Sequence, residues 1–162
     1  MSVNKHKPHL YVIPEDRRDE QIANGFAQHP SVTERQIQII EPAGGWLRVL
    51  DTFKKEYVPL LQQNAHAHVV LVIDFDGSYE QRRKRFDTEI PKGLRDRVFV
   101  VGPKDDPEAL KRSLDQNYEE IGKALANDCD DDKLEFWGHE QLQHNDSDRL
   151  RLVRAAKPFL FR

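Results

Sequence analysis

Apolar residues fall into short β-branched blocks, separated by longer stretches in which they recur every three or four positions. His9–Pro14 (HLYVIP) predicts a short strand. Asp19–Gln28 follows as a helix, with Ile22, Ala23 and Phe26 on one face. Gln36–Ile40 (QIQII) predicts a second strand, closed by Glu41-Pro42 and the pair Gly44-Gly45. From Trp46 to Gln63, apolar side chains repeat about every 3.6 positions, the period of an amphipathic helix. Pro59 kinks or ends that helix, because its ring lacks the N–H that a helical turn requires.

Val69–Phe75 is a nearly continuous apolar run, as expected of a parallel strand covered on both faces. A helix over Tyr79–Asp87 and a fourth strand, Arg97–Val101, come next. Gly102-Pro103 ends that strand, and Pro107 opens a helix over Glu108–Leu125. Leu134–Trp137 is a candidate fifth strand or edge element, and Leu150–Phe161 carries no clear period. The alternation implies an α/β fold: a mostly parallel sheet of four to five strands with helices on both faces. No repeat or linker divides the chain, so one domain is expected, with a core over about 9–125 and a C-terminal extension over 126–162.

Composition narrows the setting. The 162 residues suffice for one hydrophobic core, and apolar blocks within a chain that is 33% charged argue against disorder. No apolar run approaches the roughly 20 residues of a membrane span, and the N-terminal segment lacks the pattern of a signal peptide. Cys129 stands alone, without a partner for a disulfide or a thiolate cluster for zinc. A cytoplasmic protein without membrane contact is the expectation. A net charge of -3 gives no global attraction to nucleic acid, although Arg82, Arg83, Lys84 and Arg85 form a local basic run.

In open parallel sheets ligands bind beyond the carboxyl ends of the strands. Carboxylates gather at those ends here: Glu15, Asp16 and Asp19 after the first strand, Asp74 and Asp76 after the third, and Asp105, Asp106 and Glu108 after the fourth. Side chains two apart on a strand share a side, so Asp74 and Asp76 would face one another and need a cation to relieve their repulsion. Oxygen-only donors select a hard ion such as Mg²⁺ or Mn²⁺. Helix capping by Asp is the structural alternative for this pair. His66 and His68 form an H-x-H without further ligands in evidence, and they read as strand-entry residues.

These residues, in this order, resemble the TOPRIM domain of topoisomerases, primases and OLD-family nucleases. That pattern has a glutamate after the first strand with an aspartate four residues on, a glycine turn after the second, and Asp-x-Asp after the third. Glu15, Asp19, Gly44-Gly45 and Asp74-Phe75-Asp76 occupy those places, and Asp16 stands where the family usually has glycine. The resemblance implies a small nuclease-like protein acting on DNA or RNA phosphodiesters, in genome maintenance or antiphage defence. It makes Asp74 and Asp76 metal ligands, Glu15 a ligand or general acid/base, and Glu108 a candidate ligand for a second metal. Arg17, Arg18, Arg82, Arg83, Arg85 and Lys104 are the candidate phosphate contacts, with a protein partner as a further source of basic surface. VVLVIDFDGS also resembles the first motif of haloacid-dehalogenase-type phosphatases, in which Asp74 would be the nucleophile and Asp76 the general acid. A non-catalytic binding or regulatory module is the third reading.

Overall fold

The computed structural model describes residues 2–162. Four strands form a wholly parallel sheet: β1 (His9–Pro14), β2 (Ile37–Ile39), β3 (Ala67–Val72) and β4 (Val98–Val101), in the order β2-β1-β3-β4. Alternate side chains along each strand go to opposite faces. Tyr11, Ile13, Val69 and Leu71 pack with Val49, Leu50, Phe53, Leu61 and Phe86. That layer comprises α2 (Trp46–Thr52), a π-helical turn (Phe53–Tyr57), α3 (Val58–Gln63) and α4 (Tyr79–Glu89). Leu10, Val12, Val70 and Phe99 pack on the other face against α1 (Arg17–Ala27) and α7 (Asp146–Leu160). Burial on both faces is why the strand sequences read as continuous apolar runs. Among the described residues, no helix is long and apolar enough to cross a membrane.

Several boundaries differ from the sequence expectation. β3 stops at Val72 instead of Phe75. The neighbouring chain after β4 offers no N–H at Pro103, although the Ile73 and Phe75 amides still donate to Val101 O and Pro103 O. The long helix from Trp46 is interrupted by the π turn, which lets the chain enter α3 with Pro59 in its first turn. The single helix expected over Glu108–Leu125 is two, α5 (Pro107–Leu114) and α6 (Tyr118–Asp131). Asp115, at φ 52°, turns the chain out of α5, and Asn117 with Glu120 forms a capping box that starts α6.

Leu134–Trp137 is not a fifth strand. The Phe136 and Trp137 amides donate to Asp128 Oδ2 at 2.8 and 3.1 Å, which satisfies them locally. The tail without a clear period is α7, and its Leu152, Ala156 and Leu160 cover one face of the sheet. Buried Asp148 ties that helix down by accepting from the Val100 amide at 2.7 Å and from Arg83 at 2.7 Å.

The helix that follows β1 is held by backbone contact. A Cβ on Gly25 of α1 would lie 2.0 Å from Glu119 O, and one on Gly122 of α6 would lie 1.9 Å from Ile22 O. Only glycine permits two helices to cross this closely. Gly122→Ala should therefore force α1 away from α6 and lower the unfolding free energy by about 1–3 kcal/mol, measured by urea denaturation. An unchanged midpoint would mean that the crossing is not tight.

Candidate metal centre

The chain leaves β1 toward β2 on one side and reaches β3 on the other, so the sheet reverses its winding between β1 and β3. At such a switch point the loops diverge and open a crevice at the carboxyl ends of the strands. Pro14 pairs with Val72, and the Glu15 amide donates to Val72 O at 2.9 Å. This register places Glu15 beside the chain leaving β3, and the Asp74 amide donates to Glu15 Oε1 at 3.0 Å. One oxygen each from Glu15, Asp16 and Asp74 lies within 4.8 Å of the others.

Asp16 has two tasks. Its Oδ1 accepts the Asp19 amide at 3.1 Å as the N-cap of α1. Its Oδ2 accepts Arg18 Nε at 3.2 Å and Nη2 at 2.7 Å. Arg18 also lies 3.6 Å from Asp74 Oδ2 and 3.6 Å from Glu108 Oε1. Burial works to raise the Asp16 carboxyl, but these Arg18 and Asp19 hydrogen bonds hold it below the ordinary aspartate value. Arg18 is driven up in turn, chiefly by its hydrogen bond to Asp16.

Beneath the cluster, Asp19 is fully buried, and neither of its carboxyl oxygens has a hydrogen-bond partner. It stands beside an apolar cavity of about 90 Å³ whose wall includes Ile22, Ala23 and Val72. Burial first, and then the charge of Asp74, raises the Asp19 carboxyl well above the ordinary value. Asp74 is pushed up to about 7, mainly by burial, with the nearby Asp19 carboxyl opposing the rise and Glu15 and Asp16 adding to it. The two acids titrate as a coupled pair, and burial raises both. Burial also raises Glu15, against the pull of the Asp74 amide.

The remaining candidates are spread out. Asp76 does not share a side with Asp74, because β3 has ended and Asp76 takes the left-handed conformation at φ 46°. Its carboxylate is exposed, outside the three-oxygen cluster and 3.4 Å from Arg82. Arg82 is a tether rather than a free phosphate contact: Nη1 donates to Asp74 O at 2.6 Å, and the guanidinium lies 4.7 Å over the Trp46 ring. Arg83 is spent inside the protein on Asp148 and Val100 O. Arg85 is exposed beside Glu89 at 3.6 Å, and Glu108 reaches the cluster only through Arg18. Arg17, next to Asp16 in the chain, and Lys104 are exposed, and Lys104 O accepts the Gly77 amide. Gly44 donates its amide to Glu15 O, so the glycine turn does abut the site.

Sequence reasoning gave three contributors no role in the site, although it had noted two of them. Asp16 had a signal, being an N-cap residue type at a strand-to-helix junction, but a cap and a cluster member look alike in sequence. Asp19 was noted only for its spacing, and nothing local says that it is buried. Gln141 gave no signal: its side chain grips the Asp105 amide at 2.9 Å and the Asp105 carboxylate at 2.7 Å, fixing the loop after β4. No protein-family model, curated protein or solved structure matches the chain at a significant level.

The Asp19–Asp74 pair has a consequence for stability without added metal. An acid whose pKa is raised on folding stabilises the fold below its unfolded value, and that contribution disappears as pH rises through the folded value. For Asp74 the loss spans about pH 4 to about pH 7. Asp74→Asn, neutral throughout, should remove this slope and exceed the wild type at neutral pH by about 2–4 kcal/mol in EDTA. Denaturant titrations across that range measure the difference, and parallel curves for the two proteins would exclude the buried acid pair.

Proposed function

We propose that the protein is a divalent-metal-dependent phosphodiesterase acting on nucleic acid, with Glu15, Asp16 and Asp74 holding the ion. One observation carries the reading: carboxylate oxygens from two adjacent strand ends converge within 4.8 Å at the switch point, over buried acid oxygens that lack donors. Such a set fits Mg²⁺ or Mn²⁺, which take hard oxygen ligands and offset the repulsion among them. When bound, the ion supplies charge neutralisation at a phosphoryl oxygen and a more acidic water.

The chain's own groups divide the remaining work. The Asp74 amide fixes Glu15 Oε1, and burial, by raising this carboxyl, makes it the stronger proton acceptor. Arg82 holds the main chain of Asp74 and so sets where its carboxylate points. Arg17 and Lys104 provide exposed positive charge for phosphates, to which a protein partner would add. The order of Glu15, Gly44-Gly45 and Asp74 after successive strands supports a TOPRIM-like assignment. Asp74 is 3% exposed, which suits a ligand better than a nucleophile open to in-line attack. Asp76, the acid in the phosphatase reading, turns to Arg82 instead.

Plasmid, linear and single-stranded DNA, RNA and a small phosphomonoester, each with Mg²⁺, Mn²⁺ or EDTA, test the proposal. Strand cleavage should require metal and fall at least ~100-fold in Asp74→Ala and Glu15→Ala. Phosphomonoester turnover that needs Asp74 but not Glu15 would establish the phosphatase instead. Intact metal binding with no turnover of any substrate would leave a binding module.

A further inference from the structure

Arg18 lies among the same oxygens that the proposed ion would use. Its Nη2 is 2.7 Å from Asp16 Oδ2 and 3.6 Å from Asp74 Oδ2, two carboxylates of the three-oxygen cluster. A guanidinium and a divalent cation so close together repel, and the carboxylates cannot serve both fully. Arg18 is also held by side chains alone, with no main-chain carbonyl among its acceptors. Only Asp16 Oδ2 accepts hydrogen bonds from it, and its side chain is 36% exposed. Arg83 and Arg97 form the contrast. Arg83 is half as exposed and bonded to Asp87, Asp148 and Val100 O, while Arg97 is fastened to three main-chain carbonyls.

We propose, on the basis of the metal reading above, that Arg18 is a displaceable internal cation. In the ion-free protein it neutralises Asp16 and Asp74, and in the ion-loaded protein it leaves them to grip a phosphate of the substrate. The path out is short. Nη1 already lies 3.6 Å from Glu108, at the lip of an open groove of about 520 Å³ whose walls carry Lys111 and Arg112 together with Asp115 and Glu120. A planar guanidinium fork matches two phosphate oxygens, so the group it turns to is a phosphodiester lying along that groove. Arg18 thereby couples the two ligands: it opposes the ion when substrate is absent and favours substrate once the ion is present.

Calorimetric titration with Mn²⁺ alone, and anisotropy of a labelled phosphorothioate oligonucleotide in saturating Mn²⁺, test the two halves. Arg18→Gln should bind Mn²⁺ about tenfold tighter than the wild type, since a competing charge is gone. The same variant should bind the oligonucleotide about tenfold more weakly. Arg18→Lys, which keeps the charge without the fork, should lie between them in both assays, and thermal melts check that each variant is folded. A merely structural Arg18 would weaken both affinities together, and that result overturns the inference. Wild-type Mn²⁺ binding with no gain in Arg18→Gln also overturns it while leaving the metal reading intact. Mn²⁺ binding by neither protein overturns both.

Discussion

Four carboxyl groups, Glu15, Asp16, Asp19 and Asp74, are brought together where β1 and β3 end, and two of them, Asp19 and Asp74, are buried away from the water that would screen their repulsion. Everything else near the site answers that constraint. Asp16 is offset by Arg18, Glu15 receives an amide hydrogen, and burial raises the Asp19 carboxyl well above its ordinary value. The arrangement remains under-satisfied, because buried acid oxygens persist without outside donors. Such a deficit is costly in a structural core and ordinary at a site that binds a cation.

The scaffold shows how the cost is carried. α1 supplies Asp16, Arg18 and Asp19, and it is pressed onto α6 through Gly25 and Gly122 with no side chain between the backbones. The Asp74 loop is held from two directions: Arg82 grips its main chain from α4, and the Phe75 and Asp76 amides bond to Pro103 O and Asp105 O. Gln141 fixes Asp105 in turn, and Asn145 fixes Gly102 with both ends of its amide. Repulsion is thus confined by rigid neighbours rather than relieved by loop movement. This is the kind of preorganisation that metal and phosphate chemistry rewards.

Much of this was legible in the chain. Apolar runs without alternation announced parallel strands buried on both faces, and their alternation with helical periods announced the α/β layers. Glu15 and Asp74 stood out because strand ends are where such sheets bind ligands. The limits were equally physical. Asp74 and Asp76 obey period-two alternation only in extended backbone, and Asp76 at φ 46° has left it. The Asn117–Glu120 capping box was present in the letters, but a run of helix-compatible residues hid the break before it.

Local sequence by itself determined the strands, most helices and the acidic character of their carboxyl ends, because those follow from periodicity and residue type. Only the tertiary structure decided which acids meet. Strand order placed β1 next to β3, register set Glu15 against the Asp74 amide, and the α1–α6 crossing sank Asp19 beneath them. It likewise separated the arginines, sending Arg83 to Asp148 inside the protein and leaving Arg18 at the cluster. Charge and spacing are properties of the chain, but desolvation and the sharing of a proton or an ion are properties of neighbours. No local pattern encodes which neighbours those will be.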